Sequence, residues 1–343
     1  MNFQDYLKAT ARQTEQVIDE SLKKWEKEVR AISPKLIPLA QILKTNSKGG
    51  KRLRGTLVKL GFEMLGGNND EIFKTSAAIE IFQTAILAHD DIIDLSETRR
   101  SRPTIYRQLG GDHYGISQTI CLGDIGFFLA VKLITKSNFP SEKKIKAVNY
   151  FNEMVINTGL GQMLDIELPH LGENRNEDDV LSIHRLKTAY YTIIYPLIIG
   201  ATLAGDNNKL LKQIKEFGES LGIAFQIQDD ILGVFGDEET LGKSVTSDIE
   251  EGKNTLLITE AWKNADDAQK KILDKYYGKG KISEDDLEKI RDVFRGTGAL
   301  EYSQNQAVEL VKISKAVLEK MKIKPELKQL LFEMSDYIIQ RQK

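Results

Sequence analysis

The amino-acid sequence predicts an all-α chain, on three observations. Apolar residues recur three or four apart over long stretches, prolines number only seven in 343 residues, and no run alternates like a half-buried strand. Turn signals at Ser33-Pro34, Gly49-Gly50, residues 66–69, Arg102-Pro103, Gly110-Gly111, Phe139-Pro140, Gly205-Asp206 and residues 277–280 leave room between them for helices of ordinary length. The first helix carries Ile18, Leu22, Trp25 and Val29 at 4-3-4 spacing, one apolar stripe among Glu, Lys and Gln. Residues 79–88 are apolar on most faces and predict a buried helix. The apolar run 189–205 is interrupted by Thr192, Pro196 and Thr202. It falls short of the roughly 20 residues a membrane span needs and is read as another buried helix. Ser283 with Asp286, ahead of Leu287 and Ile290, reads as a capping box, and Gly296-Thr297-Gly298 as the next break. No Ser/Gly/Pro-rich linker divides the chain, so one domain over 1–343 is expected.

Composition narrows the function. Hydrophobic residues at 41% and charged residues at 29% fill a core and exclude compositional disorder. With 48 Lys+Arg against 50 Asp+Glu, the net charge of -2 lacks the broad basic footprint of a nucleic-acid binder. Cys121 is the single cysteine and has no intramolecular partner for a disulfide. The opening residues lack the apolar core of a secretory signal, so the cytoplasm is the expected compartment.

Two acid clusters stand where acids are costly. The apolar helix 79–88 runs directly into Asp90-Asp91-Ile92-Ile93-Asp94, and the largely apolar 222–228 runs into Asp229-Asp230. Carboxylates at i, i+3 and i+4 repel along a helix edge, and more so when partly desolvated. Oxygen-only clusters suit Mg²⁺, which takes one or two carboxylates, keeps waters and shares its shell with substrate phosphates. Cations lie nearby in sequence: Arg99-Arg100 follow the first cluster, and Gly49-Gly50-Lys51-Arg52-Leu53-Arg54 offers Gly-flanked cations near a helix start. Arginine forks pair bidentately with phosphate oxygens. Two acid sites with two basic sites describe a protein that handles more than one diphosphate. Phe82-Gln83 and Phe225-Gln226 each precede an acid pair, by about two helical turns and about one.

From about residue 48 onward the chain resembles the trans-isoprenyl diphosphate synthases of the polyprenyl synthetase family. Residues 49–54 are similar to the isopentenyl diphosphate (IPP) motif, with Gly55 where proline is usual. Asp90-Asp91-Ile92-Ile93-Asp94 resembles the first aspartate-rich motif, and Arg99-Arg100 the arginine pair after it. Gly161-Gln162 with Asp165, Lys187-Thr188, Phe225-Gln226 with Asp229-Asp230, Lys243 and Lys253 follow in family order. Gly233 stands where many relatives carry a third aspartate of the second motif, which puts that ligand in doubt.

The resemblance implies an isoprenoid-synthase-like helical bundle around a deep central cavity, usually a homodimer. It implies that Asp90, Asp94 and Asp229, supported by Asp91 and Asp230, hold three Mg²⁺ ions on an allylic diphosphate. Arg99, Lys187, Lys243 and Lys253 complete that anion cage. Gly50, Lys51, Arg54, Gln83 and Arg100 hold IPP, while the oxygens of Thr188 and Gln226 steady an allylic carbocation. Residues 236–252 resemble a loop that closes over the allylic diphosphate and excludes water. The implied reaction is ionisation, head-to-tail condensation and elimination.

Product length in this family depends on side chains beneath the first motif. Ala85 and Ile86 lie about one turn before Asp90, and Phe82 about two turns before it. With no bulky aromatic at 85 or 86, the floor is expected to open beyond the farnesyl length. Geranylgeranyl diphosphate or a longer all-trans product is favoured, with a farnesyl diphosphate synthase as the alternative. Ala85→Phe is expected to shorten the product if that side chain enters the cavity. Three other classes compete: a helical metal-dependent phosphohydrolase suggested by His89-Asp90, a terpene cyclase, and a non-catalytic partner subunit. The hydrolase needs further metal-binding histidines, whereas only His89, His113, His170 and His184 exist and His89 is read as a packed side chain. The cyclase needs no IPP cations. A partner subunit often loses metal ligands, and both acid pairs are intact here.

Overall fold

The computed structural model describes residues 1–171, 176–238 and 245–340. In chain order the helices are α1 (Phe3–Ile32), α2 (Ile37–Asn46), α3 (Leu53–Met64), α4 (Ile72–Ile93), α5 (Ile105–Gln108), α6 (His113–Thr135), α7 (Ser141–Glu167) and α8 (Glu177–Ile183). A π-helical stretch, His184–Ile194, runs into α9 (Tyr195–Ala204). Then come α10 (Asn208–Phe235), α11 (Ser247–Glu250), α12 (Leu256–Asn264), α13 (Asp267–Tyr276), α14 (Glu284–Gly296), α15 (Ala299–Lys320) and α16 (Pro325–Gln340). Among the described residues the only sheet is a hairpin of two-residue strands, Thr98–Arg99 against Arg102–Pro103. Contacts divide the chain into two compact units. One comprises Met1–Asn152, Tyr195–Leu211 and Ile323–Leu327, and the other Glu153–Ile194, Lys212–Lys322 and Lys328–Lys343.

In the first unit the α1 stripe behaves as its spacing predicts. Ile18 and Leu22 pack on Ala77 and Ile81 of α4, with Trp25 alongside. Residues 79–88 of α4 are largely buried and pack along α6. Two glycines set the crossing of α3 with α9. A Cβ on Gly61 would stand 2.1 Å from the Leu197 carbonyl oxygen, and one on Gly200 1.9 Å from that of Val58. Backbone thus meets backbone, and nearly every residue of α9 is buried, as its uniformly apolar sequence requires.

The run 189–205 is the buried helix expected, and it begins inside the π-helical stretch. In the second unit, glycines of the helices beside that stretch let it sit close. A Cβ on Gly161 of α7 would come 2.5 Å from the Lys187 backbone nitrogen, and one on Gly222 of α10 would come 2.4 Å from Ala189 Cα. The wider turn falls on Lys187 and Thr188, and π-turns recur at functional sites. Ser283 caps α14 as expected, its hydroxyl accepting from the Asp286 N–H at 3.2 Å. A full reciprocal capping box is at Asp266 and Gln269 before α13.

Among the described residues α6 is long and apolar enough to cross a membrane by length and composition, with a third of its most apolar stretch buried. It packs along α4 yet leaves Tyr114, Ile120, Ile125 and Phe128 exposed, the last at 74%.

Candidate active site

The apolar helix α4 delivers the first acid cluster at its C-terminal end, where Asp94 is the capping residue. The Asp90 side chain is 19% exposed and that of Asp91 only 5%. The hairpin that follows turns through Arg100 and Ser101, both left-handed at φ 52° and 58°. Side-chain-bearing residues resist that conformation, and such strain collects at functional sites. Its result is to send two consecutive arginines to different tasks. Arg99 Nε donates to Asp91 Oδ1 at 2.6 Å, and its Nη2 lies 3.7 Å from Asp90 Oδ2. Arg100 instead lays its guanidinium over Gly50. A Cβ there would meet Arg100 Cζ at 3.2 Å, and Gly50 itself sits at φ +88°. Position 50 therefore needs glycine for space and for conformation.

Gly49, Gly50, Asp91, Arg99, Arg100 and Arg102 line one pocket of the first unit. Its charge is unbalanced: burial first, then the neighbouring Arg52, pushes the Arg100 guanidinium below its ordinary pKa. An anion would relieve that crowding. Gln83 and Arg54 are also brought together. The Gln83 amide satisfies its surroundings when its oxygen accepts from Arg54 Nη1 at 2.9 Å. Lys51 is exposed just ahead of α3.

In the second unit, Lys187, Thr188, Gln226, Asp229, Asp230 and Lys253 line one pocket, as their order in the sequence suggests. Thr188 Oγ1 donates to Gln226 Oε1 at 2.6 Å, and Gln226 Nε2 donates to Asp230 Oδ1 at 2.7 Å. The Gln226 amide is thereby held with its oxygen toward Thr188. His184 Nε2 sits 3.0 Å from Asp230 Oδ2, with both side chains buried. Lys187 Nζ donates to Asp165 at 2.7 Å and Lys253 Nζ to Asp248 at 3.0 Å. Lys243 lies outside the described residues.

The second carboxylate of each pair has its own partner, Arg99 for Asp91 and His184 for Asp230. Burial raises the pKa of both carboxyls against the pull of those partners. Asp248 and His184 are pocket residues that the motifs did not name, and Asp165, named with Gly161-Gln162, has its partner in Lys187.

Each acid cluster by itself suits a hard divalent cation: Asp90 and Asp94 in the first unit, and Asp229 in the second, offer carboxylate oxygens on partly exposed side chains. Among the described residues no three acidic, histidine or cysteine groups are already gathered in metal-binding geometry.

The tail-length residues divide. Phe82 is fully buried and packs on Phe127 and Phe151, ring centroids 5.1 and 5.2 Å away. Ile86 is half-buried. The Ala85 methyl faces α6, where a Cβ on Gly126 would stand 2.6 Å from it. A bulky residue at 85 would first have to displace α6. His89 packs as expected, 5.3 Å from the Phe127 ring and 3.1 Å from the Ile120 carbonyl oxygen.

A helical chain with two acid pairs and clustered guanidinium groups has the chemistry of a class, proteins that handle phosphate groups with metal ions and cations. Comparison with known proteins narrows it. The model of the polyprenyl synthetase family matches residues 38–294. The geranylgeranyl diphosphate synthase of Sulfolobus acidocaldarius is 33% identical over 313 residues, 90% of this chain and 92% of that one. The geranylfarnesyl diphosphate synthase of Aeropyrum pernix is 36% identical over 86% of this chain and 91% of its own length. A crystal structure of the Corynebacterium glutamicum geranylgeranyl pyrophosphate synthase, complexed with isoprenyl diphosphate and magnesium, superposes with a TM-score of 0.91 at 29% identity. It covers 99% of this chain and 100% of that one. The chain belongs to the polyprenyl synthetase family and is a prenyltransferase.

Proposed function

We propose that the protein condenses IPP head-to-tail with allylic diphosphates and releases chiefly geranylgeranyl diphosphate. The observation that carries this reading is the strained hairpin. It holds Arg99 against the acid cluster and Arg100 over Gly50, so adjacent residues serve two separate anions. Asp90, Asp94 and Asp229, with Asp91 and Asp230 in support, are the residues to hold three Mg²⁺ ions. Bound magnesium supplies the positive charge that makes diphosphate a competent leaving group. Arg99, Lys187, Lys243 and Lys253 stabilise the charge on the departing diphosphate as its carbon–oxygen bond breaks. The oxygens of Thr188 and Gln226 steady the resulting allylic cation. Gly50, Lys51, Arg54, Gln83 and Arg100 fix the diphosphate of IPP so that its double bond meets that cation. Released pyrophosphate takes the final proton.

The expected kinetic signature separates the two anion sites. Lys51→Ala or Arg54→Ala should raise the KM for IPP by about 10- to 100-fold, the equivalent of one charge-assisted contact. Lys187→Ala or Lys243→Ala should act on the allylic substrate and on kcat. The reverse pattern in steady-state kinetics would exchange the site assignments.

Phe82, with Ile86 above it, is the proposed barrier to chain growth, and Ala85 borders it against α6. Phe82→Leu should shift the products toward the geranylfarnesyl length while keeping most of the packing that Phe82→Ala would lose. An unchanged chromatographic profile in an active variant would remove Phe82 from this role. A longer natural product is the second reading, favoured by the likeness to the Aeropyrum enzyme.

The exposed apolar side chains of α6 are proposed to meet a second copy of the chain, consistent with a homodimer. Patches of that kind on soluble proteins usually mark interaction surfaces.

A further inference from the structure

Glu80 is an acid inside the apolar stretch of α4, with 1% of its surface exposed. A buried carboxylate is costly unless it is paired and hydrogen-bonded, and none of the steps above uses this one. Its partners explain where it sits. Oε1 accepts from the Gly55 N–H at 2.7 Å, and Oε2 lies 3.4 Å from Arg52 Nη1. With the Gln83 amide turned so that both of its ends meet complementary groups, its nitrogen donates to Oε2 at 3.0 Å and its oxygen accepts from Arg54 Nη1 at 2.9 Å.

Each link has a determinant in the sequence. Gly55 stands where relatives usually carry proline, and proline has no N–H to give. Glycine also leaves room, because a Cβ there would meet Glu80 Cγ at 3.1 Å. Arg52 is itself buried at 3% exposure and adopts a left-handed φ of 53° at the start of α3. It is tied down by Glu15, to which its Nε donates at 2.7 Å, and by the Ser47 carbonyl. Glu80 is therefore held from two sides, by the Gly55 N–H and by buried Arg52, and it presents its remaining hydrogen-bonding capacity to Gln83. A carboxylate can only accept, so the Gln83 amide must turn its nitrogen toward Glu80 and its oxygen toward Arg54.

We propose that Glu80 is a positioning residue of the IPP diphosphate site, setting the Gln83 amide so that it holds the Arg54 guanidinium in place. This rests on the assignment of Lys51, Arg54 and Gln83 to IPP. Glu80→Gln keeps the shape of the side chain, but its amide nitrogen then confronts the donors of Arg52 and Gln83. Gln83 would have to turn over, placing its own nitrogen against Arg54.

The test is steady-state kinetics on Glu80→Gln, Glu80→Asp, Gln83→Leu, the double variant Glu80→Gln/Gln83→Leu, and Lys51→Ala. Glu80→Gln should raise the KM for IPP about tenfold, the scale of one charge-assisted hydrogen bond, with kcat and the allylic KM within about twofold. In the Gln83→Leu background it should add nothing further, because its route to Arg54 is already cut. Glu80→Asp keeps the charge that buried Arg52 needs and withdraws the carboxylate from Gln83. It should show the same selective rise, and it answers the question if Glu80→Gln does not fold. An unchanged KM for IPP in a folded Glu80 variant overturns the proposal. So does an equal effect on both substrates that persists in the Gln83→Leu background, because that is the mark of a fold-supporting role. If Lys51→Ala also leaves the KM for IPP unchanged, the site assignment itself fails. If Lys51→Ala raises it and the Glu80 variants do not, only the relay fails.

Discussion

Asp90→Ala and Asp229→Ala should each lower turnover by roughly a hundredfold to several thousandfold, corresponding to about 3–5 kcal/mol of lost transition-state stabilisation. Both side chains are partly exposed, so truncating them opens no fully buried space. Arg99 keeps its bond to Asp91 when Asp90 is gone. The apo variants should therefore melt within a degree or two of the parent. Asp91→Ala and Asp230→Ala are predicted to behave differently. They strip Arg99 and the buried His184 of their carboxylates, and breaking such pairs destabilises a fold. Thermal melts and single-turnover rates on the four variants separate catalytic loss from structural loss. A normal rate for Asp90→Ala or Asp229→Ala would remove those carboxylates from the reaction.

The largest expected effect on stability is at Gly200. Its added methyl in Gly200→Ala would fall 1.9 Å from a backbone oxygen and 2.9 Å from the Phe62 nitrogen, so no side chain can move aside to admit it. The α9 helix must lift from α3, at a cost of about 2–4 kcal/mol out of a total of about 5–15 kcal/mol typical of globular proteins. Gly205→Ala, just past the end of the same helix, is the control. Its methyl would meet only Leu65, at 4.0 Å. The melting temperature should fall by several degrees for the first and hold for the second. Equal melting curves would mean that the α3–α9 crossing is looser than described.

How much of this was legible in the sequence depends on the range of the interaction. The α1 stripe, the buried helix over 79–88 and the cap at Ser283 follow from local periodicity and side-chain chemistry, and each is where its spacing placed it. The acid pairs were legible because charge after an apolar run is conspicuous. The partner of the second pair was not. His184 reaches Asp230 across 46 residues and Lys187 reaches Asp165 across 22, distances at which spacing carries no information. The hairpin was hidden for another reason: its two left-handed positions hold Arg100 and Ser101, where turn chemistry favours Gly or Asn. The direction of the Ala85 methyl depends on a glycine in another helix, Gly126. The π-helical stretch shows no signature in its residue types, and its glycine neighbours lie in α7 and α10. Glu80 was visible as an acid in an apolar segment, but its meaning depends on the Gly55 N–H, 25 residues earlier.

The measurement that bears most directly on the central claim is a product analysis. The purified protein is incubated with Mg²⁺, IPP and, in turn, dimethylallyl, geranyl and farnesyl diphosphates, and the dephosphorylated products are chromatographed. The proposed activity gives incorporation of IPP from each starter into geranylgeraniol as the main alcohol, and none in excess EDTA. Release of the starter alcohol alone, cyclised hydrocarbons without IPP incorporation, or chains that stop at farnesol would contradict it.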